Sequence, residues 1–300
     1  MVLGIMKRLL VILILLLPAA GCQQPAEVEL RPDLDDVLEV TPLAEVDSTF
    51  GRPSIDSSAV LPREHDMFGG MLVVNRVKYD AGVRVDSGAF SRVYFANRNL
   101  PVMFMGRIVG FHGIDLGLPP LSPALNGAPM SRVPHRIPLR RIFADSIALA
   151  GFEYFSDLTT TFQANTEFRW TASSGFPGGF DISIRSTDNL EVQSPRGGSL
   201  ISRNQDLPLR WRGQGDSFTI VISRFDPLTR RVKPLLQLRP RVNRGHAIIP
   251  AKILRTLPRE RFYVMTFMLA NRSRSEVVAG YGERVLVQAA SVYNSYVEIR

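Results

Sequence analysis

Apolar and polar residues alternate along most of the chain after residue 67. Residues 180–184 carry an apolar side chain at every second position, and residues 207–211 and 218–222 repeat the pattern. A period of two is typical of β-strands with one buried face. Residues 261–270 are apolar on both faces, which favours a central strand. The pattern therefore predicts a body that is built of β-strands.

The same pattern predicts further short strands at residues 71–79, 91–96, 148–155, 285–289 and 292–299. Only residues 250–257 have helical spacing, and a proline stands at each end of this segment. Many short strands with frequent turn signals favour sandwiches or barrels. The predicted fold class is therefore all-β, with two β-sandwich-like domains. These domains cover residues 67–189 and residues 190–300.

The second domain contains the segment LEVQSPRGGSLISRNQDLPLRWRGQGDSFTIVIS, which starts at Leu190. This segment resembles the opening of bacterial Ig-like and fibronectin-like modules, and the resemblance implies a fold rather than a function. The first domain contains a proline-rich excursion at residues 117–138. Trp170 and Trp211 each alternate with arginines, so they are expected to be core residues rather than ligand platforms.

The start of the chain follows a different pattern. Lys7 and Arg8 precede an unbroken apolar run at residues 9–17, and small residues then lead to Cys22. This arrangement is typical of a secretory signal. A membrane-spanning helix needs about 20 apolar residues, far more than this run supplies. We therefore predict a signal peptide at residues 1–21, with cleavage between Gly21 and Cys22.

The segment Ala19-Ala20-Gly21-Cys22 resembles the lipobox of bacterial lipoproteins. In that family the cysteine thiol carries a diacylglycerol and the new amine is usually acylated, so the resemblance implies lipidation at Cys22. Cys22 is also the only cysteine in the chain. The resemblance implies an envelope location, and Gln23 is similar to the class sorted to the outer membrane of hosts with two membranes. Ordinary secretion is the alternative, because Ala19-Ala20-Gly21 also suits a general signal peptidase.

Residues 22–66 differ from the body in charge. After Cys22 they contain eleven acidic residues and three arginines, and they are almost free of aromatic residues. Such a segment has little apolar surface to bury, so we predict a disordered acidic linker behind the lipidated N-terminus. Because a lone cysteine permits no intramolecular disulfide, the body must be stabilised by core burial.

The body is basic, and the bias is strongest between Arg224 and Arg261, where eleven basic residues face two acidic residues. A positive field favours anionic partners such as lipid head groups or acidic envelope polymers. The candidate anion-binding residues are Arg230, Arg231, Lys233, Arg239, Arg241 and Arg244. The alternative is ordinary surface charge in an arginine-rich chain. The acidic linker could also fold back on this basic face, and no sequence signature of a nucleic-acid module is present.

Specific catalytic patterns are absent from the sequence. The four histidines form no pair at metal-ligand spacing, so we expect neither a metal nor another cofactor. There is no nucleophile elbow, phosphate loop or dinucleotide fingerprint. The leading interpretation is a lipid-anchored, non-catalytic binding or assembly module. The alternatives are a hydrolase of cell-wall glycan whose carboxylates meet only in the fold, and a subunit that meets its partner through the proline-rich excursion or an edge strand.

Overall fold

The described part of the protein consists almost entirely of β-strands, which confirms the predicted all-β class. The computed structural model describes residues 38–43, 68–119, 121–140, 145–173, 179–227, 231–277 and 281–300. The strands are β1 (Leu38–Pro42), β2 (Gly70–Asp80), β3 (Val85–Phe104), β4 (Arg107–Gly113), β5 (Ala124–Leu125), β6 (Ala128–Pro129), β7 (Ser131–Arg140), β8 (Asp145–Asp157), β9 (Glu167–Ala172), β10 (Phe180–Arg185), β11 (Glu191–Ser194), β12 (Leu200–Ile201), β13 (Leu207–Arg212), β14 (Ser217–Asp226), β15 (Arg231–Pro240), β16 (His246–Ile249), β17 (Phe262–Val277) and β18 (Arg284–Ile299). A short helix, α1 (Ala251–Leu254), lies inside the segment predicted to be helical.

These strands form one large sheet and two small ones. The large sheet has eleven strands in the order β1-β15-β14-β17-β18-β2-β3-β4-β8-β7, with β12 beside β18. The small sheets have the orders β10-β9-β5-β6 and β11-β13-β16. Neighbours in the large sheet are antiparallel except at β18–β2, β4–β8 and β12–β18, where they are parallel.

Both small sheets cover the same face of the large sheet. Val287 of β18 packs in one core cluster with Trp170 of β9. Val297 of the same strand packs in a second cluster with Trp211 of β13. Because alternate residues of a strand share a face, these two odd-numbered positions of β18 point the same way. The arrangement is therefore two sandwich-like layers that share one continuous sheet.

The two tryptophans are core residues, as predicted. Trp170 and Trp211 are almost completely buried. The indole nitrogen of Trp170 donates a hydrogen bond of 2.8 Å to Ser91 Oγ, and that of Trp211 donates one of the same length to Asn243 Oδ1. A buried indole N–H needs such an acceptor. Each tryptophan thus fixes a small sheet or its neighbouring loop against the body.

The two-domain division at residues 189 and 190 stays a prediction. The two core clusters lie largely on either side of this boundary, but β18 contributes to both of them. The large sheet also crosses the boundary, because β18 pairs with β2 along eleven residues of each strand.

Two strand assignments differ from the sequence prediction. Leu38–Pro42, inside the segment predicted to be a disordered linker, forms β1 and pairs with β15; the prediction is wrong for these five residues. Leu38 packs against the core, and the open edge of β15 supplies the backbone partners. The proline-rich excursion also contains β5, β6 and most of β7. β7 tolerates its prolines because it lies at the edge of the sheet.

Candidate binding surfaces

The residues predicted to carry the lipid and the anion site are only partly within the described chain. Gly21, Cys22 and Arg230 lie outside the described residues, as does most of the predicted linker. Arg231 is the first residue of β15. The lipid on Cys22 and an anion site that includes Arg230 and Arg231 therefore stay predictions.

The structure separates the remaining candidate anion-binding residues. Lys233 lies opposite Arg224, on the face of the sheet that also carries the buried Ile222. Arg239 follows the buried Leu238 and lies on the other face. Arg241 and Arg244 are both exposed in the turn between β15 and β16. The basic stretch thus contributes charge to two faces and a turn, rather than to one cluster.

One acidic residue of the predicted linker meets this basic stretch. Glu39 of β1 lies directly opposite Arg239 of β15, and both side chains are exposed. Directly opposite residues of antiparallel strands are close neighbours, and opposite charges stabilise such a pair. The backbone of β1 therefore places one acidic residue of the predicted linker opposite the basic stretch; the wider contact between the acidic linker and the basic face stays a prediction.

A more prominent surface is the distal part of the β3–β4 hairpin, residues 98–111, which we call hairpin A. β2 pairs with β3 only as far as Phe95, so hairpin A extends past this pairing. Four of its large apolar side chains are each more than half exposed: Leu100, Met103, Met105 and Ile108. The two-residue turn at its tip has positive φ at Met105 (50°) and at Gly106 (76°), as a type I′ turn requires.

The distal part of the β7–β8 hairpin, residues 136–140 and 145–149, forms a second surface of this kind, which we call hairpin B. Ile147 and Leu149 share one face of β8 and are each more than 60% exposed. Arg136 lies directly opposite Leu149 and is also exposed. Hairpin B therefore places a cation beside its exposed apolar residues.

Hairpins A and B extend from the same side of the body. β3 pairs antiparallel with β8 from Phe90 to Val93, and β4 touches β8 at Gly113 and Gly151. The tip of hairpin A follows β3 in the chain, whereas the tip of hairpin B precedes β8. Because β3 and β8 run in opposite directions, both tips lie toward the same end of these strands. The two hairpins are thus neighbours at their bases, and their tips extend in the same direction.

A partly buried ionic cluster joins β3, β7 and β8 below the hairpins. Arg92 donates to Glu153 Oε2 through Nε (3.1 Å) and through a guanidinium NH2 group (2.5 Å). His135 Nδ1 lies 2.7 Å from the same oxygen, and the His135 ring lies against Tyr94 with 4.3 Å between the ring centroids. Burial raises the pKa of Glu153, but the hydrogen bond from His135 and the charge of Arg92 lower it more. The net pKa of this carboxyl therefore lies below its ordinary value.

Hairpin A has its own fixation at the base. Arg98 Nε donates a 2.5 Å hydrogen bond to Glu283, and its guanidinium lies 5.3 Å from the centre of the Phe111 ring. The Tyr94 hydroxyl donates a 2.9 Å hydrogen bond to the Phe111 carbonyl. These contacts join the two strands of the hairpin to each other and to the body. They therefore hold the base of hairpin A in a defined position.

A groove of about 430 Å³ lies beside β11, β12 and β13, and its lining includes Arg196, Gln205 and Asp206. Asp206 is the only carboxylate in that lining, and its Oδ1 accepts a 2.7 Å hydrogen bond from the Ala251 N–H. Hydrolysis of a glycosidic bond uses two carboxylates, so this groove does not support the hydrolase interpretation. Among the described residues, no group of three or more acidic, histidine or cysteine side chains could hold a metal ion.

Sequence reasoning missed hairpins A and B because apolar residues in a strand usually indicate a buried face. The available signal in hairpin A was the segment MFMGRI around residue 105, a glycine turn between apolar residues. In the part of the chain that the structure describes, no helix has the length and apolar character to cross a bilayer. Comparisons with protein-family models, with curated proteins and with solved structures find no significant match to this chain.

Proposed function

We propose that this chain is a lipid-anchored protein of the bacterial cell envelope whose β-body is a non-catalytic binding or assembly module. The lipid on Cys22 attaches the chain to the membrane. Hairpins A and B are the binding elements of the body. The proposal rests chiefly on one observation, the six large apolar side chains that these neighbouring hairpins expose.

The energetics of these side chains favour contact with another envelope component. Moving a large aliphatic side chain from water to full burial contributes about 1.5–3 kcal/mol. Monomeric soluble proteins rarely expose contiguous apolar patches larger than a few hundred Å², and such large patches usually mark interaction sites. The salt bridges at the base hold the hairpins in place, so binding requires little additional ordering.

Side chains, rather than an open strand edge, supply the contact. β7 is an edge strand of the large sheet, and Pro134 and Pro138 lie within it. Proline has no N–H to donate, so neither residue can donate to a strand added at this edge. This argues against strand addition at β7 as the means of assembly.

The anchor and the binding elements are tested separately. In cells, Cys22→Ser should move the protein from the membrane fraction to the soluble fraction, while the parent stays with the membrane. A photo-crosslinking residue at position 103 should give envelope adducts, and one at Val242, which is also exposed, should give none. Equal fractionation of parent and Cys22→Ser contradicts the anchor. Equal adducts from positions 103 and 242 contradict the assignment of the hairpins.

A further inference from the structure

We infer that hairpins A and B form a second membrane contact, in which their apolar tips enter the surface of a bilayer that contains anionic lipids. This inference rests on the proposed function, because it identifies the component that the hairpins bind. It is a claim about the body alone and does not require the lipid on Cys22.

The tip of hairpin A is shaped for shallow insertion. A methyl group added to Gly106 would meet no atom within 4 Å, so the turn stands in open space. Met105, beside it, is 75% exposed. A narrow two-stranded tip offers little of the broad, flat area that a stable protein interface buries. It can, however, place a few apolar side chains below the head groups of a bilayer.

The charge of the hairpins selects an anionic surface. Hairpins A and B contain four basic residues and one acidic residue, which are Arg98, Arg107, Arg136, Arg140 and Asp145. Arg98 is already paired with Glu283. Arg107 is exposed and follows the turn, between Met105 and Ile108. Binding to a bilayer surface combines buried apolar area with attraction between cations and anionic lipids. When the apolar tip enters the acyl-chain region, the neighbouring Arg107 lies at the depth of the lipid phosphates.

The lone cysteine permits a local test of insertion. In a Cys22→Ser background, Met105→Cys gives the full chain a single thiol for an environment-sensitive fluorophore. The matched control is Val242→Cys in the same background, because Val242 is also exposed but lies outside both hairpins. With vesicles of phosphatidylcholine and phosphatidylglycerol, the label at 105 should shift to the blue and brighten. The label at 242 should not change, and vesicles of phosphatidylcholine alone should give a smaller effect at 105.

Substitutions test the two contributions to affinity. Met103→Ser combined with Ile108→Ser, in the Cys22→Ser background, should weaken vesicle binding about tenfold, and Arg107→Ser should reduce its salt dependence. Leu200→Ser combined with Val242→Ser removes equally exposed apolar residues elsewhere and should leave binding unchanged.

Three outcomes would overturn the inference. They are no spectral change at position 105, equal vesicle binding by the hairpin and control double variants, and self-association of the parent that the hairpin variant abolishes. The last outcome would assign the hairpins to a second copy of the chain. If the protein does not bind vesicles but position 103 still gives protein adducts, the membrane contact is contradicted. The proposed binding module is then still supported.

Discussion

Gly113 and Gly151 form the single parallel bridge between β4 and β8, at the point where hairpins A and B separate. A methyl group on Gly151 would overlap the carbonyl oxygen of Gly113, and one on Gly113 would overlap the carbonyl oxygen of Phe152. Gly151 also has a positive φ of 73°. Two backbones can approach this closely only where neither residue has a side chain.

An alanine at a positive φ costs about 1–2 kcal/mol through backbone strain alone. Gly151→Ala is expected to lower the free energy of unfolding by more than this, because its methyl group would also overlap the Gly113 carbonyl oxygen. The matched control is Gly106→Ala, because Gly106 has nearly the same φ (76°) but open space around its Cα. Urea unfolding of the two variants measures the difference. Equal destabilisation would show that the close contact with Gly113 contributes nothing.

The partly buried pair of Arg92 and Glu153 should make stability depend on pH. Glu153→Gln removes the carboxylate that Arg92 and His135 contact. Breaking a fully buried ion pair costs about 3–5 kcal/mol, and the loss here should be smaller because both side chains are partly exposed. The pKa of Glu153 is lowered below its ordinary value of 4.5 in the folded state. Such a group contributes stability that is complete above the unfolded pKa and is lost as the pH falls through the folded pKa.

The gap in unfolding free energy between the parent and Glu153→Gln should therefore be full above pH 4.5 and shrink below it. Asp181→Asn is the control, because the pair of Asp181 and Arg169 is mostly exposed and solvent screens it. It should change stability little at any pH. A gap that is constant from neutral to acid pH would contradict the ionic role of Glu153.

A second buried carboxylate joins the end of β2 to β18. Asp80 accepts hydrogen bonds from the N–H groups of Gly82 (2.9 Å) and Gly197 (3.1 Å) and from the Tyr293 hydroxyl. Burial raises the pKa of Asp80, but these hydrogen bonds and the charge of Lys78 lower it below its ordinary value. The group connects three separate segments of the chain.

Tyr293→Phe should lower the free energy of unfolding by about 1.5–3 kcal/mol, because one hydrogen bond to the charged carboxylate of Asp80 is lost. The pKa of Asp80 should rise toward its ordinary value, which a titration followed by NMR measures. Tyr296→Phe, on the same strand, keeps the ring that packs against Phe225 and is the control. An Asp80 pKa that does not respond to Tyr293→Phe would contradict the hydrogen bond.

Alternation predicted the fold class because most strands of this protein bury one face. It succeeded at residues 218–222, where Ile220 and Ile222 are buried and Phe218 stacks on Trp211. It failed in hairpin A, because an apolar residue such as Met103 follows the same pattern whether or not anything covers it. Exposure depends on which strands pair beyond Phe95, and that pairing is set by contacts distant in sequence.

Strand β1 shows the same limit for charge and composition. Residues 38–42 lie in an acidic segment with too little apolar surface to fold alone. They become a strand because β15 offers an unpaired edge, almost 200 residues later in the sequence. The candidate anion-binding residues illustrate the reverse case, since closeness in sequence did not bring Lys233 and Arg239 to one face.

The pairing of Glu39 with Arg239 predicts how β1 can be released. Glu39→Arg places two like charges directly opposite each other, which destabilises an antiparallel pair, whereas Glu39→Gln removes only the attraction. Amide hydrogen exchange in residues 236–239 of β15, which pair with β1, should therefore speed up strongly in Glu39→Arg and slightly in Glu39→Gln. Residues 231–233 lie beyond the register of β1 and provide the internal control. Unchanged exchange in Glu39→Arg would mean that side-chain charge does not hold β1 in place.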